Sequence, residues 1–182
     1  MTEQDLVALW EAHCRCEFET RDVDATMATM VDEPYVNHVP TMTGGVGHDQ
    51  LKRFYKYHFI GNNPPDTTLT PISRTVGADS LVDEMLFRFT HTSAVDWMLP
   101  GIAPTGHRVE IPLVAIVQFR DGKVAHEHIY WDQASVLVQI GLLDPSGLPV
   151  AGIETAGKVL DKTRPSNALM GEVWTGSEGK PI

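Results

Sequence analysis

His126 and His128 stand two residues apart in the segment Lys123 to Trp131, directly after the pair Asp121-Gly122. An Asp-Gly pair between apolar runs is a strong hairpin signal, so this segment is predicted to be a strand. Side chains two residues apart in a strand point to the same face, which places the two imidazoles side by side. Such a pair could supply a general base near neutral pH or, with a carboxylate, form a facial metal site. The structural alternative is hydrogen bonding to neighbours on a solvated sheet face.

The register of this hairpin decides which side chains lie opposite the histidines. A two-residue loop would place Val117 opposite His126. Tyr130 would then share the face of the two histidines, whereas Glu127 would point to the other face. A bulge would shift this pairing by one residue.

Three further residues have the chemistry of acid/base groups. Asp132 ends the predicted strand and precedes a predicted short helix, so it is either an acid/base group or the N-cap of that helix. Glu84 lies in the middle of an apolar strand, where it either pairs with Arg88 on the sheet face or acts as a pocket acid. His38 follows a short extended piece that begins at Tyr35, and its alternative role is structural.

Aromatic and polar residues in helices, loops and strand ends are candidates for lining a pocket. Tyr55 and His58 lie on the apolar face of a predicted helix, where core packing is the alternative role. A Pro- and Gly-rich loop follows residue 91, and we expect it to line or cover the pocket. The candidate substrate-binding residues are Tyr35, Tyr55, His58, Asp96, Trp97, Met98, Tyr130 and Trp131.

The elements that must position these residues change from helices to strands along the chain. Apolar residues recur at helical spacing in residues 3–21, 24–31 and 48–60. Strands are predicted for residues 67–76, 81–92, 108–120 and 123–131, and a short helix for residues 132–141. Helices followed by a meander of long strands are typical of an α+β fold.

Residues 144–182 differ in composition, because 10 of these 39 residues are Gly or Pro. Such a segment cannot form a core of its own, yet its apolar residues, Trp174 among them, are costly to leave in water. We therefore predict a main domain over residues 1–143 and a C-terminal arm over residues 144–182. The arm would pack on the body or on a partner subunit, and a loose solvated tail is the alternative.

The charge and cysteine content exclude several classes of protein. The 182 residues include 14 Lys and Arg against 24 Asp and Glu, a formal net charge of -10. This balance argues against nucleic-acid binding and against docking on an anionic membrane. No apolar run is long enough to cross a bilayer, and the acidic N-terminus does not look like a signal peptide. Two cysteines, Cys14 and Cys16, are too few for a disulfide framework, so we expect a reduced, cytoplasmic protein.

Several segments in order resemble the SnoaL-like polyketide cyclases. Gly101-Ile102-Ala103-Pro104-Thr105-Gly106 resembles their Gly-Ile-Pro-Pro-Thr-Gly segment, and residues 119–124 resemble the hairpin that follows it. Residues 132–143 look like their terminal segment, and Tyr35-Val36-Asn37-His38 matches their early strand. The resemblance covers roughly residues 3–143. It implies the nuclear-transport-factor-2-like fold, a curved, mixed and mostly antiparallel sheet wrapped round N-terminal helices to make a cone with a pocket.

The resemblance also implies roles for single residues. In SnoaL-like cyclases an Asp near the position of Asp132 is the acid/base group of an aldol closure, and a slip of the alignment would give this role to Glu127 or His128. The resemblance places His38 at the mouth or floor of the pocket, where it could orient a carbonyl or pair with Asp132.

Two departures from related enzymes bear on the substrate. Residues 93–100 are bulkier than the matching cyclase stretch, which favours a smaller or differently shaped ligand. Limonene-type epoxide hydrolases use an Asp-Arg-Asp set on the same cone. Asp83, Arg88 and Asp132 supply these types, but the spacing of the first two puts them on opposite faces of a strand.

We therefore expect a cofactor-independent acid/base enzyme acting on a small, partly apolar carbonyl compound. Cyclisation, isomerisation and hydration, lyase or hydrolase chemistry all fit this description. Asp132 or a strand histidine would move the proton, with His38 positioning the substrate. The alternatives are a non-catalytic ligand-binding module of the same fold and a metal-assisted enzyme that uses His126 and His128. The resemblance also implies a homodimer that pairs through the open sheet face.

Overall fold

Helices form the N-terminal part of the molecule. In the computed structural model, which describes residues 2–182, Thr2 caps the first helix. The Thr2 hydroxyl accepts from the Asp5 amide, and the Asp5 carboxylate accepts from the Thr2 amide. This capping box satisfies two amides that the helix leaves free. The helices span Glu3–Phe18 (α1), Val23–Ala28 (α2) and His48–Phe54 (α3), and α3 continues into a π-helical turn, Tyr55–Phe59.

Six strands within the described residues form one curved, open sheet. Their order is β2-β1-β6-β5-β4-β3, in which β1 and β6 run parallel and all other neighbours run antiparallel. The strands span Met30–His38 (β1), Thr43–Val46 (β2), Thr68–Val76 (β3), Ser80–Thr90 (β4), Arg108–Arg120 (β5) and Lys123–Trp131 (β6). The later helices span Gln133–Gln139 (α4), Glu154–Leu160 (α5) and Glu172–Thr175 (α6), with a 3-10 turn at Ala168–Met170. The predicted α+β fold, with a mixed and mostly antiparallel sheet, is confirmed.

The first strand is longer than the sequence pattern predicts. The second helix ends at Ala28, and Met30 already pairs within the sheet. The pairing of β1 with β6 shifts between Met30 and Tyr35, the stretch that contains Pro34. Proline has no amide hydrogen for a sheet ladder, so it is accommodated at such an irregularity.

The predicted turn between β5 and β6 is confirmed. Asp121 and Gly122 both have positive φ, 52° and 74°, as a two-residue hairpin turn requires. Arg120 and Lys123 pair directly across this turn.

A β-bulge follows the turn and shifts the pairing expected for the histidines by one residue. Between Val124 and His126, β6 contains one extra residue, Ala125, and its pairing with β5 shifts there. Val117 consequently lies opposite Glu127. The predicted pairing of Val117 with His126 is wrong by one residue, and the bulge, which the sequence analysis left open, is its cause.

The concave face of the sheet packs against the helices and the loop between β4 and β5. Phe87, Phe89, Trp97 and Leu99 each have at most 2% of their surface exposed. Burial of each such side chain stabilises the fold by about 1.5–3 kcal/mol, and together they fix the shape of the inner surface.

The chain beyond α4 contacts the body through Gly152 and α5. The Ser135 hydroxyl donates to the Gly152 carbonyl at 2.9 Å, and Ala156 of α5 is buried. From Val159 to Ile182 every residue is exposed. The division into residues 1–143 and 144–182 stays a prediction. No helix in residues 2–182 combines the length and apolar character needed to cross a membrane.

Candidate active site

A cavity of about 520 Å³ lies between α1, the π-helical turn and the concave face of the sheet. Most of its wall is apolar, with Trp10, Phe87 and Trp97 as the largest rings. A few polar side chains face the same space, among them Glu17, His38, Tyr55, Arg74, Asp83 and Glu127. An apolar pocket with a few convergent polar groups is the usual form of a small-molecule site.

Three buried ionisable side chains meet beside this cavity, which Glu17 and Glu127 line and behind which His13 lies. His13 and Glu17 lie one turn apart on α1, and Glu127 projects from β6. The Nε2 atom of His13 is 3.1 Å from Glu17 Oε1 and 3.2 Å from Glu127 Oε1. The first contact is a hydrogen bond. The second lies within ion-pair distance, but Glu127 Oε1 has no hydrogen-bond partner within residues 2–182. A buried carboxylate without a donor is costly, and such atoms call for a functional explanation.

The protonation of His13 follows from the groups around it. The Thr29 hydroxyl donates to the Thr26 carbonyl at 2.6 Å, so its oxygen can only accept from His13 Nδ1, which is also 2.6 Å away. The other ring nitrogen faces two carboxylates, which accept hydrogen bonds. Both nitrogens are therefore placed as donors, the arrangement of an imidazolium.

The charges in the cluster act in the same direction as this geometry. Burial by itself would lower the pKa of His13, but the charges of Glu17 and Glu127 outweigh it and raise the pKa to about 10. Burial raises the pKa of Glu17, against the opposing charge of His13. The cluster therefore holds a proton on His13 through the physiological range.

Two neighbours of the cluster remain protonated. The Tyr55 hydroxyl lies 3.5 Å from His13 Nε2. Burial, together with the charges of Glu127 and Glu17, raises the pKa of Tyr55 well above its usual value. Burial likewise raises the pKa of Cys14, which makes the thiol a poor nucleophile. Tyr55 is thus a hydrogen-bond donor on the cavity wall.

A second carboxylate of the cavity has a full set of partners. Asp83 accepts from Trp10 Nε1 at 2.9 Å and from two nitrogens of Arg74 at 3.1 and 2.8 Å. The Trp10 ring stacks on the His13 ring with centroids 5.5 Å apart. Asp83 is therefore placed to hold the indole against the cluster.

His38 lies on the wall in a different electrostatic setting. Its ring is packed among aromatic side chains, and its Nδ1 lies 3.3 Å from the Thr43 carbonyl. Burial lowers the pKa of His38 to about 3, so this histidine is neutral at physiological pH.

The SnoaL-like domain family matches residues 10–127, which include α1 from Trp10 onward, Glu127 and every cavity-lining residue except Ile129. The chain belongs to the SnoaL-like domain family. The resemblance noted in the sequence is confirmed. No curated protein matches the chain in sequence.

Solved structures similar to this SnoaL-like protein share its fold. TsrD from Streptomyces laurentii superposes with a TM-score of 0.61 at 19% identity, covering 79% of this chain and 99% of that one. A protein from Jannaschia sp. CCS1, assigned as a SnoaL-like polyketide cyclase, superposes with a TM-score of 0.56 at 21% sequence identity. The match covers 75% of this chain and 93% of that one. A nuclear-transport-factor-2-like protein from Burkholderia pseudomallei K96243 superposes with a TM-score of 0.56 at 18% sequence identity, covering 77% of this chain and 98% of that one. The nuclear-transport-factor-2-like fold expected from the sequence is confirmed.

The structure places Asp132 outside the cavity of this SnoaL-like domain. Its side chain is exposed and caps α4, accepting from the Ser135 amide at 3.2 Å. Within the described chain it makes neither a hydrogen bond nor an ion pair with His38. Of the two roles the sequence left open, the geometry supports the N-cap.

The two strand histidines lie on the outer face of the sheet. His126 and His128 have ring centroids 4.9 Å apart, with Tyr35 packed beside them. Tyr130 shares this face and is 41% exposed. None of the four lines the cavity; the bulge in β6 turns His126, His128 and Tyr130 away from it, and Tyr35 lies beside the two histidines on β1.

Glu84 also faces outward. Its carboxylate accepts from the Ser73 hydroxyl at 2.8 Å rather than from Arg88, which donates to Glu110. The set of Asp83, Arg88 and Asp132 is not assembled, since only Asp83 faces the cavity.

The remaining binding candidates divide between the wall and its surroundings. Tyr55 and Trp97 line the cavity, whereas Met98 and Trp131 are buried behind it. His58 and Asp96 form a half-exposed pair at 3.0 Å near the loop, outside the cavity.

Sequence reasoning did not single out His13 and Glu17 as functional residues. A signal was present, because they lie four residues apart on the apolar face of α1 with Leu6 and Trp10. Ionisable residues on a buried helix face need partners. The partner Glu127 is more than a hundred residues away in sequence, so only the fold shows the cluster.

Proposed function

We propose that this protein is an acid/base enzyme in which the Glu127 carboxylate takes a proton from a carbon next to a carbonyl group. The observation that carries this proposal is the Glu127 carboxylate, which lines the cavity and has one oxygen, Oε1, enclosed beside the His13 ring; the other oxygen, Oε2, is the one that would take the proton. Proton abstraction in a site that excludes water is a recognised task for such a group. Membership of a family in which a solved relative is assigned as a polyketide cyclase supports an enzyme-like function.

The neighbours of Glu127 have defined parts in this proposal. The His13 cation, 3.2 Å from Glu127 Oε1, keeps a negative carboxylate tolerable in an apolar site. The protonated Tyr55, whose hydroxyl lies 3.5 Å from His13 Nε2, would stabilise the oxyanion of an enolate. The proton held by Glu127 is then available for return to another atom, which gives isomerisation, cyclisation or a lyase reaction. The group requires no cofactor for this step.

The cavity wall defines the kind of substrate. Rings such as Phe87 and Trp97 favour an apolar skeleton, and the volume of about 520 Å³ suits a small molecule. A partly apolar carbonyl compound remains the substrate class that we propose.

Exchange of carbon-bound protons tests the proposal without knowledge of the natural substrate. β-Tetralone, an apolar ring ketone, is dissolved in heavy water, and loss of its α-proton signals is followed by NMR. The protein is expected to accelerate the exchange, and Glu127→Gln to reduce the protein-dependent rate by about a hundredfold or more.

The matched control is Asp132→Asn, the same chemical change outside the cavity, which is expected to keep the wild-type rate. Exchange that survives in Glu127→Gln but disappears in Asp132→Asn would assign the base to Asp132. Binding of β-tetralone with no accelerated exchange would favour the ligand-binding module.

One observation favours metal-assisted chemistry as a second candidate function. Ligand atoms of His13, Glu17 and Glu127 lie within 4.8 Å of one another. Because His13 Nδ1 is held by Thr29, the Nε2 atom would be the ligand, with the hydroxyl as its outer partner. One imidazole and two carboxylates suit Zn²⁺ or Mn²⁺. Elemental analysis of untagged protein after dialysis against each metal separates the two candidate functions. Stoichiometric metal in the wild type that is lost in His13→Gln would support metal-assisted chemistry.

A further inference from the structure

The ring of His38 is held in one orientation by four aromatic side chains. Its centroid lies 4.8 Å from that of Trp97, 5.5 Å from Phe59, 5.6 Å from Phe54 and 6.0 Å from Trp131. These contacts come from β6, the π-helical turn, the end of α3 and the loop between β4 and β5, so the ring cannot turn without displacing several elements.

The Nδ1 atom of His38 is occupied by a hydrogen bond to the backbone. Nδ1 lies 3.3 Å from the Thr43 carbonyl oxygen, and a carbonyl can only accept, so Nδ1 carries the hydrogen. Thr43 is the residue directly opposite His38 in the β1–β2 ladder. The backbone of the sheet thus fixes the tautomer of His38.

The other nitrogen, Nε2, is therefore an unprotonated acceptor. Within residues 2–182 it has no hydrogen-bond partner, and it is not among the fully enclosed unpaired atoms such as His91 Nε2. Since His38 lines the cavity, the remaining exposure of this nitrogen is toward that space. No carboxylate contacts the ring, and burial lowers the pKa of His38 to about 3, so a proton does not occupy Nε2 at physiological pH.

We propose that His38 determines specificity by accepting a hydrogen bond from a hydroxyl or N–H group of an otherwise apolar substrate. This differs from the expectation that His38 orients a carbonyl, because an acceptor cannot donate to a carbonyl oxygen. The inference rests on the proposed function only in that it takes the cavity as the substrate site.

The position of this acceptor relative to Glu127 adds a constraint on the substrate. His38 pairs with Ile129, and Glu127 pairs with Val36, on the neighbouring parallel strands β1 and β6. Both side chains face the cavity, as diagonal neighbours on parallel strands whose backbones lie about 8 Å apart, given strand spacing of about 4.8 Å and a rise of about 3.3 Å per residue. The substrate therefore presents its donor group and its reactive carbon toward two adjacent points on one wall, as a hydroxylated ring ketone does.

A pair of isosteric probes tests the acceptor directly. α-Naphthol and α-methylnaphthalene differ by a hydroxyl against a methyl group, and binding of each is followed by quenching of tryptophan fluorescence. The variant His38→Phe keeps an aromatic ring among the four aromatic side chains. In this variant α-naphthol is expected to lose about fivefold to tenfold in affinity relative to α-methylnaphthalene. His126→Phe, the same change on the outer face of the sheet, is expected to leave the ratio of the two dissociation constants at its wild-type value. His38→Gln, whose side-chain oxygen can accept a hydrogen bond, is expected to bring the ratio part of the way back to that value.

A second measurement uses the unaltered protein. The nitrogen-15 resonance of His38 Nε2 is expected to move upfield when α-naphthol is added and to respond little to α-methylnaphthalene. An equal ratio of affinities in wild type and His38→Phe, an Nε2 resonance indifferent to the hydroxyl, or failure of both probes to bind would each overturn the inference. Exchange of β-tetralone by Glu127 is a separate readout, so either proposal can fail without the other.

Discussion

His13 is the residue on which the electrostatics of the cavity depend. It is fully buried, donates to Thr29 from one side and faces Glu17 and Glu127 from the other. An unpaired ion in such a setting would be strongly destabilising, whereas a cation between two carboxylates is tolerated. Glu127 also lines the cavity, so stability and the proposed chemistry come from one cluster.

The charge of His13 predicts a pH dependence of stability. Because the pKa of His13 rises from 6.5 to about 10 on folding, its contribution is complete below about pH 6.5 and is lost as the pH rises toward 10. The raised pKa of Glu17 acts in the same direction at lower pH. In urea unfolding, the stability advantage of wild type over His13→Gln is therefore expected to be larger at pH 6 than at pH 10. An advantage that stays constant or grows over this range would contradict the charged state of His13.

Among the elements, the bulge in β6 decides which residues reach the cavity. Alternation in the sequence correctly groups His126, His128 and Tyr130 on one face, and Asp121-Gly122 correctly predicts the turn. Whether that group faces inward depends on one extra residue, Ala125. Since Val124 and Ala125 are both apolar and both buried, the hydrophobic pattern carries no sign of the shift.

The limits of sequence reasoning elsewhere have the same physical origin. The segments that resemble SnoaL-like cyclases predict the cone and its order of elements. The position of Asp132 at the end of β6 fits both a cap and a pocket acid, and only the path of the chain separates the two. The contact of His13 with Glu127 depends on how the first helix packs against the last strand. The spacing of residues within either element does not predict that packing.

The start of α4 gives a prediction for Asp132 as a cap. Its carboxylate accepts from the Ser135 amide, and Asn caps a helix about as well as Asp. Asp132→Asn is therefore expected to unfold in urea like wild type, and Asp132→Ala to lose about 1 kcal/mol. Loss of the same stability in both variants would point to a role for the carboxylate charge beyond capping.

At the scale of the whole molecule, the outer face of the sheet carries several exposed apolar side chains between β4, β5 and β6. Ile116 lies opposite Val82 on one side and His128 on the other, and Ile116 and Val82 are each 37% exposed. Tyr130 lies on the same face. Apolar side chains exposed together on one face of a sheet are a feature of interaction surfaces, and we propose that two copies of the chain pair through this face.

Analytical ultracentrifugation tests this pairing. The wild-type protein is expected to sediment as a dimer. Ile116→Glu is expected to sediment as a folded monomer, because dimerisation would bury the added carboxylate in the interface without water or a partner, which is costly. Val173→Glu, an equally apolar-to-acidic change in the exposed C-terminal segment, is expected to remain a dimer. A monomeric wild type, or a dimeric Ile116→Glu, would contradict the proposed interface.

The protonation state of His13 is the most direct test of the proposed acid/base centre. Nitrogen-15 NMR of the protein labelled in histidine reports whether each ring nitrogen carries a hydrogen. We expect both nitrogens of His13 to be protonated from pH 6 to pH 9 and the ring to lose a proton only near pH 10, earlier in Glu127→Gln because one of the two stabilising charges is gone. A ring that is neutral at pH 7, or that titrates at the ordinary pKa of histidine, would contradict a charged cluster and with it the role proposed for Glu127.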